Sequence, residues 1–158
     1  MNARYVVAEG THDAGVSWVV WARRDEPRDG DLLSMIRLKD AGGRIVHAGG
    51  LSGPPLYPGS MLNVSTGGSE EGPRALLARV DPALQRLELR TQDGGVVDVP
   101  LFDCPDVPEI RFAAMLLPRD LPLHSLTGFG GNGAELERFD LRFQQGQWEA
   151  HHWAELHR

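Results

Sequence analysis

Apolar and polar residues alternate along most of this chain with a period of two, in short runs broken by glycine, proline and aspartate. Residues 4–8 (RYVVA) and 16–22 (VSWVVWA) are rich in β-branched and aromatic side chains. The turn-forming residues 9–15 lie between them, so an opening hairpin is predicted. In the second run Val16, Trp18 and Val20 point one way while Ser17, Val19 and Trp21 point the other, as in a central strand partly covered on both faces. Residues 32–39 set Leu32, Ser34, Ile36 and Leu38 on one face against Arg37 and Lys39, which predicts a half-buried strand. The turn 40–44 (DAGGR) then leads into a strand at 45–48.

Residues 49–72 are the least regular stretch, with Pro54, Pro55, Pro58 and several glycines around one short strand at 60–65 (SMLNVS). Long loops of this kind are mobile or functional, which makes Tyr57 within it a candidate ligand- or partner-binding residue. Strands are predicted next at 75–80, 84–91 and 96–102, the last two joined by an Asp93-Gly94 turn. A helix over 75–89 is the competing reading, and Pro82 opposes it. Further strands fall at 109–117, 123–129 and 136–143. In the last of these Leu136, Phe139 and Phe143 also satisfy helical spacing, but the glycine-rich turn 130–133 favours a hairpin. With no repeat, no linker and no alternating long helices, residues 1–158 read as one all-β domain, a sandwich or a barrel.

Composition adds boundaries to this picture. A chain of 158 residues with 41% hydrophobic and 24% charged residues can bury a core without a staple, so its 19 glycines and 11 prolines mark turns and not disorder. The net charge of −6 and the lack of a basic stripe argue against nucleic acid as a partner. Neither a signal-peptide pattern in residues 1–10 nor an apolar run of membrane-spanning length is present, so a soluble, cytoplasmic protein with no membrane partner is expected. Cys104 is the only cysteine, which leaves no intrachain disulfide and is expected to be packed.

The segment 80–139 carries Val80 and Pro82, then Arg86, Leu87, Glu88 and Leu89, then Asp93 and Gly94, then Phe112 to Ala114 with Pro118, and finally the turn from Gly130 to Leu136. In these strand and turn residues it resembles a group of small bacterial β-sandwich proteins of unknown function. The resemblance implies an antiparallel immunoglobulin-like β-sandwich, and it carries no active site with it.

Candidate chemistry is sparse. Gly128, Gly130 and Gly133 spell a G-x-G-x-x-G, but a dinucleotide site needs a helix to follow, and a strand is expected there. His12 with Asp13, and His124 with Ser125, are fragments of a Ser-His-acid triad without a nucleophile elbow, so no catalytic residue is assigned. Asn63-Val64-Ser65 is read as a chance glycosylation match. The tail 148–158 (WEAHHWAELHR) is the densest cluster. If it forms a short C-terminal helix, His151 and Glu155 share a face; if extended, His151, Glu155 and His157 lie beside Trp153. Those three are candidate metal ligands, suited to zinc or nickel. Trp21, Tyr57, Trp148 and Trp153 are candidate contacts for a ligand or partner, whereas Trp18 is expected in the core. The sequence therefore favours a non-enzymatic module that binds a protein or small ligand and needs no cofactor. The alternative is a metal-assisted hydrolase or transferase built on the tail histidines.

Overall fold

The computed structural model describes residues 3–24, 30–69 and 72–142. Those residues form strands and one 3-10 turn, Asp13–Gly15, with no α-helix among them. A front sheet takes β1 (Tyr5–His12), β2 (Val16–Arg24), β3 (Leu32–Lys39) and β4 (Ile45–Leu51), side by side in that order. The middle and back sheets draw on the rest of the chain, β5 (Leu62–Gly68), β6 (Arg74–Val80), β7 (Arg86–Thr91), β8 (Val96–Val99), β9 (Leu101–Phe102), β10 (Arg111–Leu117), β11 (Leu123–Phe129) and β12 (Glu135–Asp140). The middle sheet runs β5-β6-β10-β9 and the back sheet β12-β11-β7-β8. Every ladder is antiparallel.

The expected all-β antiparallel sandwich is thus observed, and it has three layers. Strand β6 shows why: all seven of its residues are buried. Leu76, Ala78 and Val80 pack with Leu84, Leu87, Leu89, Leu123 and Leu126 toward the back sheet, while Ala75 and Leu77 pack with Val20, Ile36 and Leu38 of the front sheet. Strand β10 behaves the same way, with Ala113 and Leu117 facing back and Phe112, Ala114 and Leu116 facing front. Largely apolar runs such as RALLARV and RFAAMLL suit a sheet covered on both sides, where a polar side chain on either face must find its partners inside the protein.

Several boundaries differ from the sequence reading. Residues 9–12, taken as turn, continue β1 as far as His12. The run 96–102 is not one strand: β8 joins the back sheet and β9 the middle sheet, with Pro100 between them, where its missing amide cannot continue a ladder. The two helix-or-strand ambiguities both resolve as strands, β6 and β7 in the first case and β12 in the second. The glycine triplet lies on the β11-β12 hairpin. There Gly133 adopts φ 82°, and a Cβ on Gly128 would sit 2.6 Å from Cδ1 of Leu84, so packing and turn geometry account for both residues. Trp18 does face the core, its ring 6.4 Å from that of Phe102, and Cys104 is buried beside Ile110 and Phe112.

One charged side chain lies inside the stack. Arg79 of β6 is only 1% exposed and points from the middle sheet toward the front sheet. Its Nε donates to Oγ of Ser34 at 2.9 Å. Its Nη1 donates to the carbonyl of Pro54 at 2.8 Å, and its Nη2 to the carbonyls of Leu51 at 2.6 Å and Leu32 at 2.5 Å. Burial lowers its pKa to about 10, offset in part by Tyr57 and Asp31, so the cation persists at neutral pH. Backbone carbonyls and one hydroxyl, in place of a carboxylate, satisfy the guanidinium fork. Replacing it by a side chain of similar length but no donors, Arg79→Met, leaves these buried acceptors unpaired and should cost about 3 kcal/mol or more, whereas Ser34→Ala should cost about 1–2 kcal/mol. Urea unfolding midpoints at fixed m-value provide the measurement, and equal midpoints for the two variants would contradict the assigned role.

Candidate functional site

Among the described residues the three sheets leave six strand edges, and these are not equally protected. Strand β1 carries a bulge between Val6 and Ala8, β9 has two residues, β8 has four, and β12 (ELERFD) is studded with charge. Short length, bulges and charge are the usual means of preventing a free edge from pairing with another chain. Strand β5 (LNVSTGG) has none of them, whereas β4 (IVHAGGL) carries a register shift like that of β1, with Leu38 paired to His47 and Lys39 to Ile45 so that Val46 is skipped.

These two edges face each other across a layer boundary without forming a ladder. At one end they are held together by His47, whose imidazole lies against Gly67: a Cβ there would be 3.1 Å from its Cε1. Toward the other end they line a cleft of about 530 Å³, a volume in the range of ligand-binding pockets. Gly50, Leu51 and Ser52 form one wall, Asn63, Ser65 and Thr66 the other, and Glu137 and Phe139 of β12 contribute from the back sheet.

Local hydrogen bonds shape the mouth of this cleft. Asn63 pairs in register with Arg79 and shares its face of the middle sheet. Its Oδ1 accepts the amide of Tyr57 at 3.0 Å. The carbonyl of Gly53 accepts the amide of Leu32 at 2.8 Å, and the carbonyls of Leu51 and Pro54 are taken by Arg79. The loop that connects β4 to β5 is therefore tied at several points. Tyr57 stands at the rim, 48% exposed, with its hydroxyl 3.3 Å from the carbonyl of Ser52. On the far side Glu137 closes one potential gap by accepting the amide of Met61 at 2.6 Å. Gly50 makes the β3-β4 approach possible, since a Cβ on it would fall 1.9 Å from the carbonyl oxygen of Ser34.

Of the residues singled out from sequence, Tyr57 lines this cleft, and Trp21 lies elsewhere, on the outer face of the front sheet. Trp148, Trp153, His151, Glu155 and His157 fall outside the described residues. Among the described residues no cluster of three or more His, Cys, Asp or Glu side chains is arranged to hold a metal. The triad fragments do not assemble into a nucleophile. His124 Nδ1 is 3.0 Å from Oγ of Ser125, and Asp140 pairs with Ser125 across β11-β12, but Ser125 is 1% exposed and the Asp140 carboxylate is held by Arg142. The Arg142 side chain and amide lower the Asp140 pKa to about 2. Sequence reasoning missed Asn63, His47, Glu137 and Phe139. The one available signal was the uncharged, proline-free run of β5, which reads as an unprotected edge only once its neighbours are known.

No family model matches this chain, and neither a curated protein nor a solved structure matches it.

Burial lowers the pKa of His47 from its ordinary 6.5. The folded protein therefore binds a proton at this position less readily than the unfolded chain, and stability falls as pH drops below about 6.5 toward the lower folded value. The difference in unfolding free energy between the wild type and His47→Gln should vary with pH in that window and be flat above it. Urea titrations at successive pH values would reveal this, and a difference independent of pH would rule out the buried neutral imidazole.

Proposed function

We propose that this protein is a non-enzymatic interaction module that takes an extended polypeptide segment into the cleft between β4 and β5. The observation that carries this reading is the hollow of about 530 Å³ lined by β4 and β5, two edge strands that form no ladder with each other. An incoming strand can satisfy the amide and carbonyl groups of such an edge while a side chain on alternate positions enters the hollow, which is how strand addition combines affinity with selectivity. Tyr57 at the rim offers a large, partly apolar contact with few rotatable bonds, the type of residue on which binding energy concentrates. The tethering of its loop through Arg79 and Asn63 supports the same reading, because a site already in its bound shape loses less entropy on association.

Selection of random linear peptides displayed on phage against the full-length chain provides the probe. Recovered peptides should shift backbone amide resonances of Leu62–Gly68 and Ile45–Leu51. Tyr57→Ala should weaken binding about 30-fold, the equivalent of about 2 kcal/mol. Methylating alternate amides of the best peptide should abolish binding, since those amides would pair with the edge. Shifts confined to another surface, or full affinity after amide methylation, would defeat the proposal.

A further inference from the structure

The outer face of the front sheet is built differently from the rest of the surface. Cross-strand register places Arg23 opposite Leu33, Trp21 opposite Met35, Val19 opposite Arg37 and Ser17 opposite Lys39. On the neighbouring strand Val6 pairs with Trp21 and Glu9 with Val19. The residues of β2 and β3 that alternate with these, Val20, Ile36 and Leu38, pack inward, so this face is the one turned away from the middle sheet. None of Val6, Val19, Trp21, Leu33 and Met35 belongs to a core cluster. The guanidinium of Arg4 lies over the Trp21 ring, 4.2 Å from its centre, and holds the indole against the sheet.

The charges here are distinctive. In a chain of net charge −6, this face collects, among the described residues, Arg4, Arg23, Arg37 and Lys39 against a single carboxylate, Glu9. Elsewhere Arg24, Arg44, Arg86, Arg90, Arg111, Arg138 and Arg142 each meet a carboxylate within ion-pair distance. None of the four cations on the front face does so with any described residue, and Nε of both Arg23 and Arg37 is buried without an acceptor. Away from this face most described cations meet a carboxylate, Arg74 and Arg119 being exceptions, whereas on the front face none of the four does.

We infer that this face docks an acidic polypeptide that also carries apolar side chains. The apolar stripe of Val19, Trp21, Leu33 and Met35 would take the apolar side chains, and the flanking cations would take the carboxylates. Complementarity favours a compact acidic segment over an extended polyanion. Salt screens charge over about 8 Å at physiological ionic strength, so a short segment senses mainly the local cations. A nucleic acid or an anionic bilayer extends past the face and meets the negative remainder of the molecule. The surface is separate from the β4-β5 cleft, and the inference stands independently of the function proposed for that cleft.

The test uses the full chain and fluorescent peptides that alternate glutamate with phenylalanine, with the lysine-phenylalanine equivalent, a single-stranded oligonucleotide and phosphatidylserine vesicles as the other arms. The glutamate peptide should bind at low ionic strength and weaken as salt is added, and the lysine peptide should not bind. Arg37→Glu combined with Lys39→Glu should lower affinity at least about tenfold, and Trp21→Ala about 30-fold. Glu9→Lys, which removes the one opposing charge, should instead tighten binding about twofold to threefold, a gain that a merely misfolded variant cannot produce. Tighter binding of the oligonucleotide or the vesicles than of the glutamate peptide would overturn the inference. So would equal affinity for both peptides, no binding of either, or an unchanged affinity in the charge-reversed variant.

Discussion

A guanidinium closed off from water between two sheets is the constraint on which the rest of this structure depends. Isolated, such a cation would cost several kcal/mol in desolvation. Arg79 avoids that by drawing acceptors from three separate places: Ser34 and Leu32 on β3, Leu51 at the end of β4, and Pro54 in the loop beyond. Each acceptor is a group that the fold must bring to one point in space, and the middle and front sheets can reach that point only in one relative register. An apolar residue at this position would tolerate sliding between the layers. The hydrogen-bonding fork does not, because its donors are fixed in a plane.

The same side chain connects architecture to the candidate site. Loops of this length are usually the least ordered part of a β protein. Here the carbonyls that Arg79 occupies lie at its start, and Asn63, the cross-strand neighbour of Arg79, takes the amide of Tyr57 at its middle. The rim of the cleft is consequently an extension of the core hydrogen-bond network. Strand β5 pairs with β6 along one side and forms no ladder with β4 along the other, so the tied loop and the β5 edge border the same cleft.

Much of the fold was legible because alternation survives wherever one face of a strand meets solvent. Leu32–Lys39 and Leu123–Phe129 were bounded correctly from pattern and turn residues. The layer count was not legible. The runs around Leu76 and Ala113 signal burial on both faces, but the same apolar density suits a helix, and nothing local says which other strands provide the two covers. The split at Pro100 was missed because alternation continues across a change of sheet. For the cleft, Tyr57 was singled out within its loop and lines the hollow. Asn63 and His47 were not, since an asparagine that accepts a backbone amide and a histidine laid on a glycine depend on contacts between strands far apart in sequence. Arg79 illustrates the limit most clearly: within RALLARV it reads as a charge that must reach solvent, and only the convergence of distant carbonyls permits the opposite.

The two surfaces that remain open differ in the physics they offer. At the β4-β5 edge the available groups are backbone amides and carbonyls, which recognise extended conformation whatever the side chains. On the outer face of the front sheet the backbone is already paired, and only side chains are presented, with indole, thioether and cations in fixed cross-strand register. Under the two proposals, recognition there would depend on composition and be weakened by salt, whereas recognition at the edge would depend on main-chain shape. Both surfaces run along the front sheet, the face over β2 and β3 and the edge at the adjacent β4. A single partner chain that wrapped from one to the other would gain from both, because once either end is bound the second contact becomes intramolecular.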